Sequence, residues 1–152
     1  MKINSSDAME DLGRSLALAC PTGSRIYLRG ELGAGKTTWV RGFLRALDYA
    51  GKVKSPTYTL VESYLLQGRP IHHLDLYRVN DPDELEAIGL RDYMDGSGIC
   101  LVEWPERGGD LLAEPDILVR IDIIGTSREV VLESCSAAGT RILHQLEPAI
   151  QE

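Results

Sequence analysis

Apolar residues near the start of the chain recur every three to four positions, which predicts an opening helix. This helix is expected to begin at the capping sequence Ser5-Ser6-Asp7 and to end at Pro21-Thr22-Gly23. Residues 25–29 then alternate apolar and charged side chains, which predicts a strand, and residues 38–47 return to helical spacing. The apolar positions of the opening helix are Met9, Leu12, Leu16 and Ala19.

The remaining sequence predicts more strands and two further helices. Residues 58–64 and 71–77 are expected to form a hairpin around the turn Gln67-Gly68-Arg69-Pro70. Residues 99–103 form a mostly apolar run, which is typical of a strand buried on both faces. The other predicted elements are a short helix from Asp81 to about Gly89 with Pro82 at its first position, strands at 117–124 and 128–133 around Gly125-Thr126-Ser127, and a closing helix from about Ala137 to Leu146.

A complete phosphate-binding pattern lies between the first predicted strand and the second helix. Its sequence is Gly30-Glu31-Leu32-Gly33-Ala34-Gly35-Lys36-Thr37, followed by Thr38, and it matches G-x-x-x-x-G-K-[ST]. The three glycines are expected to allow positive φ and to bring backbone N–H groups close to phosphate oxygens at the helix N-terminus. Lys36 would then reach the β- and γ-phosphates, and the Thr37 hydroxyl is the natural ligand for their Mg²⁺.

These elements together predict a three-layer α/β domain with the P-loop NTPase fold, in which helices flank a mixed β-sheet. We expect a parallel core that carries the phosphate loop and Glu103, with hairpins extending the sheet. One domain is predicted to cover residues 1–152, and ligand is expected at the carboxyl ends of the core strands.

Composition narrows the class of protein. With 43% hydrophobic and 26% charged residues the chain is typical of a globular protein, and no apolar run approaches the roughly 20 residues of a membrane span. The N-terminus has no targeting pattern, so a cytoplasmic location and no membrane contact are expected. Cys20, Cys100 and Cys135 form no C-x-x-C pair, and we interpret all three as buried or half-buried apolar residues.

The net charge of −7 is unevenly distributed along the sequence. Residues 1–56 carry nine Lys and Arg against five Asp and Glu, whereas residues 57–152 carry seven against eighteen. A positive field around the phosphate loop favours a polyphosphate ligand. The acidic remainder argues against a broad nucleic-acid surface on this chain alone.

Two acids at predicted strand ends are candidates for catalysis and metal binding. Asp75 ends a partly apolar strand in His73-Leu74-Asp75-Leu76-Tyr77-Arg78, like a Walker-B acid, although a capping Asp is the alternative. Glu103 ends the most apolar strand, where a buried acid needs a metal or hydrogen-bonding partner. His73 is interpreted as a hydrogen-bonding partner of Asp75 rather than as a catalytic group.

Four motifs, in this order and at these separations, closely resemble the TsaE (formerly YjeE) family over about residues 6 to 135. The resemblance implies a cytoplasmic ATPase that binds ATP/ADP and Mg²⁺ and is needed for formation of threonylcarbamoyladenosine at position 37 of tRNAs reading codons that begin with A. It also implies TsaD and TsaB as protein partners, with tRNA met indirectly through their complex. The motifs are Gly30 to Thr38, Ser55-Pro-Thr-Tyr-Thr-Leu-Val-Glu62, His73 to Arg78, and Val102-Glu-Trp-Pro-Glu106.

The resemblance assigns roles to individual positions. Lys36 and Thr37 match the phosphate and Mg²⁺ ligands of the family, and Glu103 and Asp75 match its metal-binding and Walker-B acids. Thr57 matches a mobile switch threonine. Nucleotide contacts are also implied near Ser6 in the opening helix and at a basic residue matching Arg128.

Three other functions share part of this sequence pattern. A small-molecule kinase usually needs an arginine-rich lid, and only Arg78 and Arg128 stand out here. A regulatory GTPase needs N-K-x-D to recognise guanine, and neither Asn4 nor Asn80 lies in that motif. A non-hydrolysing scaffold that binds ATP only for its shape remains an alternative.

Overall fold

The computed structural model describes the backbone of residues 1–150 and the side chains of residues 1–146. The predicted domain also includes Gln151 and Glu152, which lie outside the described residues. The elements are β1 Lys2–Ile3, α1 Ser6–Ala19, β2 Arg25–Arg29, α2 Lys36–Ala46, β3 Val61–Leu66, β4 Arg69–Asp75, α3 Asp83–Ala87, α4 Leu90–Tyr93, β5 Ile99–Glu103, a 3-10 segment Pro105–Leu111, β6 Ile117–Ile124, β7 Ser127–Ser134 and α5 Ala137–Ile150.

Within the described residues the strands form one mixed sheet in the order β1-β7-β6-β2-β5-β4-β3. Four neighbouring strands, β6, β2, β5 and β4, run parallel and form the predicted core. The β3–β4 and β6–β7 hairpins extend this core in antiparallel fashion on either side. The α/β architecture with a mixed sheet, predicted from the sequence, is therefore confirmed.

Alternation along the core strands separates two apolar clusters, one on each face of the sheet. In β2, Ile26 and Leu28 pack with α1, α2 and α5, whereas Tyr27 packs on the opposite face. In β5, Ile99 and Leu101 join the first cluster and Cys100 and Val102 join the second, which α3, α4 and the 3-10 segment cover. All five residues of β5 are buried, as its apolar run predicts.

Helices α1 and α2 lie in close contact because each has a glycine that faces the backbone of the other helix. A Cβ added at Gly13 would lie 2.0 Å from the Trp39 carbonyl oxygen, and one at Gly42 would lie 1.9 Å from the Glu10 carbonyl oxygen. Ser5 caps α1, since its hydroxyl accepts a hydrogen bond from the Ala8 N–H at 3.1 Å. This cap confirms the start predicted for the opening helix.

Several element boundaries differ from prediction. The strand predicted at 58–64 begins only at Val61, because the preceding residues form a turn that places Leu60 in the left-handed region at φ 68°. Its partner, predicted at 71–77, spans Arg69–Asp75 instead. The helix predicted from Asp81 to about Gly89 is the shorter α3, Asp83–Ala87, and Pro82 is its N-cap. The short helix α4 and the two-residue β1 were not predicted, and β1 is too short to show alternation.

Candidate nucleotide site

Strand register places the two predicted acids side by side at one edge of the sheet. Glu103, the last residue of β5, is the register partner of Leu28 in β2 and of Asp75 in β4. The phosphate loop leaves β2 one residue after Arg29, at the same carboxyl edge. Parallel strands therefore bring the loop, Asp75 and Glu103 together, as the sequence predicts.

The phosphate loop ends at an open helix N-terminus. Gly35 is the N-cap of α2 at φ 112°, and no side chain caps this end of the helix. Gly33 also has positive φ, at 80°. Gly30 was also expected to adopt positive φ, and this prediction is wrong, because its φ is not in the left-handed region. Gly30 is instead required by space, since an added Cβ would lie 2.8 Å from the Ile121 carbonyl oxygen.

The Lys36 ammonium group lies inside the loop rather than in solvent. Its Nζ donates hydrogen bonds to the carbonyl oxygens of Gly30 and Glu31, the latter at 2.9 Å, and lies 4.5 Å from the centroid of the Trp104 ring. Burial lowers the pKa of Lys36, while the carboxylates of Glu103 and Asp75 act in the opposite direction. The cation is therefore already held at the site where a polyphosphate would bind.

Thr37 and Glu103 form a direct contact across the site. The Thr37 Oγ1 lies 3.1 Å from each oxygen of the Glu103 carboxylate, and Glu103 is only 3% exposed. His73, which is fully buried, approaches Glu103 Oε2 with its Nε2 at 2.6 Å. The interpretation of His73 as a partner of Asp75 is therefore wrong, because the β4–β5 register brings its ring to the neighbouring strand's acid.

Asp75 is surrounded by hydroxyl groups of the segment that follows α2. One carboxylate oxygen accepts hydrogen bonds from Ser55 Oγ and from Thr57 Oγ1, the latter at 3.2 Å, and the other accepts from the Tyr77 N–H at 2.9 Å. Burial raises the pKa of Asp75, and the Tyr77 N–H bond partly offsets that effect. The sequence singled out the hydroxyls near position 57 but gave no signal that they contact Asp75.

A cavity of about 250 Å³ joins these groups. Part of the loop, the Thr37–Glu103 contact, the Asp75 hydroxyl cluster and the Trp104 ring all face it. Its lining residues from the predicted set are Leu32, Gly33, Ala34, Gly35, Lys36, Thr37, Thr38, Thr57, Asp75 and Glu103.

A second cavity, of about 300 Å³, lies on the other side of the loop and is lined by two more predicted positions, Ser6 and Arg128. The predicted positions Gly30 and Glu31 line neither cavity. The Arg128 guanidinium donates to the carbonyl oxygens of Ala34 at 3.0 Å and of Gly33 at 3.1 Å. Arg128 therefore supports the loop backbone from outside. Asn4, Ser5 and Thr38 supply further polar groups to this cavity.

The donor set fits Mg²⁺ bound together with phosphate rather than by protein alone. Among the residues that the structure describes, no group of three or more His, Cys, Asp and Glu side chains is placed to hold a metal ion. Thr37 and Glu103 nevertheless provide neighbouring oxygens, and Mg²⁺ commonly keeps waters and substrate phosphates as its other ligands. These residues are compatible with Mg²⁺ in a nucleotide complex.

Comparison with known proteins decides the family. The model of the family described as threonylcarbamoyl adenosine biosynthesis protein TsaE matches residues 3–130. The chain belongs to the TsaE family. A TsaE protein of Haemophilus influenzae is 51% identical over 118 residues, which cover 78% of this chain and 75% of that protein. A TsaE protein of Bacillus subtilis is 45% identical over 120 residues, covering 78% and 73%.

A solved structure supports the same fold. The crystal structure of Bacillus subtilis YdiB superimposes with a TM-score of 0.85 at 25% sequence identity and covers 99% of this chain and 94% of that one. The TsaE relatives carry the name tRNA threonylcarbamoyladenosine biosynthesis protein. Within the described residues, no helix combines the length and the apolar character needed to cross a bilayer.

Proposed function

We propose that this TsaE family member is a Mg²⁺-dependent ATPase that supports formation of threonylcarbamoyladenosine at position 37 of tRNAs reading codons that begin with A. It acts in the cytoplasm with TsaD and TsaB through a cycle of ATP binding and hydrolysis, and it meets tRNA through their complex. The observation that carries the proposal is the cavity in which the phosphate loop, the Thr37–Glu103 contact and Asp75 meet. The names of the relatives support the pathway.

Phosphate binding follows from the open end of α2. Unpaired N–H groups in the first turn of a helix and the positive end of its dipole attract anions, and here no side chain occupies that end. Lys36 supplies the fixed positive charge beside these groups. We therefore assign the β- and γ-phosphates to the cavity in front of Lys36 and Thr37.

Hydrolysis requires groups that hold charge and water next to the phosphates. A bound Mg²⁺ would reduce the negative charge on the phosphate oxygens. The Glu103 carboxylate is held next to Thr37 and accepts hydrogen bonds rather than donating them, so it can orient a metal-bound or attacking water. Asp75 is available as the second acid once its hydroxyl partners move.

Adenine rather than guanine is the proposed base. The sequence has no N-K-x-D motif, and the second cavity presents the small polar residues Asn4, Ser5 and Ser6 beside the loop. Gly33 to Gly35 line this cavity, so a nucleoside bound here would lie next to the loop backbone that would hold the phosphates. We assign the nucleoside to this side of the loop.

The segment around Thr57 is the proposed switch. Ser55 and Thr57 connect it to Asp75, while Tyr58 next to them is 83% exposed and stacks with the Arg78 guanidinium 4.4 Å from its ring centroid. Leu60 ends the segment with φ 68°, a conformation that is strained for a branched side chain. If Thr57 turned toward the γ-phosphate, this exposed surface would move with it and would report the nucleotide state to a partner.

The ATPase proposal is tested by phosphate release from ATP and from GTP, with Mg²⁺ or with EDTA. The chain is assayed alone and with a TsaD–TsaB pair. We expect release from ATP only, with Mg²⁺ required and with a faster rate when the pair is present. Equal use of GTP, or binding of ATP without any release in the presence of the pair, would favour a different nucleotidase or a non-hydrolysing scaffold.

A further inference from the structure

His73 lies on an interior strand of the sheet and is fully buried, where a charged or polar side chain is unusual. Strand β4 is flanked by β3 and β5, and the His73 side chain is fully buried. Its Nε2 lies 2.6 Å from Glu103 Oε2, and Glu103 is itself 3% exposed. The hydrogen bond between His73 Nε2 and Glu103 Oε2 is therefore shielded from solvent on the His73 side, where water cannot replace the ring without local opening.

The contact fixes the orientation of the Glu103 carboxylate. A glutamate side chain has three rotatable bonds, so its carboxylate is positioned only when each oxygen has a partner. In this chain His73 donates to Oε2 from the interior of the sheet, while Thr37 Oγ1 approaches both oxygens from the phosphate loop. His73 contributes the part of this support that does not depend on the loop.

Packing alone gives no reason for a histidine at position 73. Its second ring nitrogen, Nδ1, is buried and has no hydrogen-bonding partner among the described residues. A buried polar atom without a partner destabilises a fold, so an apolar residue would suit the sheet interior better. The Nε2 contact with Glu103 is therefore the one polar interaction that the histidine ring makes among the described residues.

We propose that His73 is a positioning residue that orients Glu103 for the metal ion of the nucleotide complex. This inference rests on the proposed function, because it concerns the same site. Partners behind a metal-binding group hold it in the binding orientation, and their loss typically weakens metal affinity by roughly 10–100-fold. Loss of the His73 donor should therefore weaken the response to Mg²⁺ and leave the contacts between nucleotide and loop unchanged.

Four variants separate this role from a general effect on folding. His73→Leu removes the donor, His73→Gln keeps an amide N–H near the position of Nε2, and His73→Asn carries the same amide too close to the backbone to reach Glu103. His72→Leu is the matched control. His72 is the next residue of β4, points to the opposite face and pairs with Ser63 Oγ at 2.8 Å, away from Glu103.

The measurement is the affinity of a fluorescent ADP analogue for each variant, first without Mg²⁺ and then as Mg²⁺ is titrated. We expect His73→Leu and His73→Asn to need at least about tenfold more Mg²⁺ for the half-maximal response. Their affinity without Mg²⁺ should stay within about twofold of wild type. His73→Gln should recover most of the Mg²⁺ response, and His72→Leu should keep all of it.

Two outcomes with folded variants would overturn the inference. An unchanged Mg²⁺ midpoint in His73→Leu and His73→Asn would show that His73 does not position Glu103. An equal loss of Mg²⁺-free binding and thermal stability in all three His73 variants would show a structural role only. If His73→Leu fails to fold, the comparison of Gln with Asn decides, and equal midpoints reject the inference. The ATPase proposal is judged separately, since a wild type that binds Mg²⁺ and ADP normally but never hydrolyses ATP would reject only that proposal.

Discussion

The Lys36 ammonium group lies over the indole ring of Trp104, with Nζ 4.5 Å from the ring centroid. Trp104 follows Glu103 directly and adopts φ 57°, a left-handed conformation that is uncommon for a bulky residue. Such strain persists where the surrounding structure holds it and is frequent at functional sites. Tyr77 packs on the same indole with 5.0 Å between ring centroids. The Trp104 indole, which directly follows Glu103, is therefore in contact with both Lys36 and Tyr77.

This arrangement predicts a fluorescence signal from Trp104. When phosphates draw the Lys36 ammonium toward them, the cation over the indole moves and the emission of Trp104 should change. Trp39, the only other tryptophan of the sequence, belongs to α2 and its side chain is fully buried in the core, so it should respond little. We expect ADP to shift the emission of wild type and not of Trp104→Phe. A nucleotide-dependent change in emission of equal size in Trp104→Phe would show that the signal does not come from Trp104.

Lys36→Ala should weaken ATP binding by removing a charge-assisted hydrogen bond. Such a bond contributes roughly 1.5–3 kcal/mol, which corresponds to about a tenfold to hundredfold loss of affinity. Lys52→Ala, at an exposed position outside both cavities, is the matched control and should bind as wild type does. Isothermal titration calorimetry measures the ATP dissociation constant of each variant. Equal affinities in the two variants would show that Lys36 does not contact the phosphates.

Gly42→Ala should destabilise the fold although alanine favours helices. An alanine normally gains up to about 1 kcal/mol over glycine inside a helix. Here its Cβ would lie 1.9 Å from the Glu10 carbonyl oxygen, so α1 and α2 must separate, and overpacking of this kind costs about 1–3 kcal/mol. Arg14→Ala, at an exposed position of α1, should change stability by less than about 0.5 kcal/mol. Urea unfolding monitored by circular dichroism compares them, and a stabilised Gly42→Ala would contradict the close helix contact.

The cysteines differ in accessibility, which corrects the expectation that all three are at least half buried. Cys20 and Cys100 are buried, whereas Cys135 is exposed. Burial raises the pKa of both Cys20 and Cys100 from 9.0 to about 12. A raised pKa lowers the thiolate fraction of these two residues near pH 8, and only the thiolate reacts.

Ellman's reagent should therefore label one thiol in the native chain at pH 8 and three after unfolding in urea. In the Cys135→Ser variant, the reagent should label no thiol in the native state and two thiols in urea. Rapid labelling of two or more native thiols in wild type would contradict the burial of Cys20 and Cys100.

Local patterns predicted most of the fold because each element follows from a short stretch of sequence. The phosphate loop, the fully apolar strand before Glu103 and the Ser5 cap could be recognised from neighbouring residues alone. The pairing of His73 with Glu103 could not, because it depends on which strands become neighbours in the sheet. For the same reason no local pattern indicated that Arg128 contacts the carbonyl oxygens of the phosphate loop.

In the proposed function, ATP hydrolysis that depends on Glu103 drives repeated rounds of tRNA modification. Glu103→Gln keeps the shape of the side chain and removes its charge, so we expect it to fold, to bind nucleotide and to lose hydrolysis. Glu114→Gln is the matched control, since Glu114 is exposed and its carbonyl lies near Arg25 at the opposite end of β2.

The most direct test is reconstituted threonylcarbamoyladenosine formation with TsaD, TsaB and tRNA, followed over several turnovers for wild type and both variants. We expect repeated turnover for wild type and Glu114→Gln, and no sustained turnover for Glu103→Gln. Sustained turnover by a Glu103→Gln chain that releases no phosphate from ATP would contradict the proposed function.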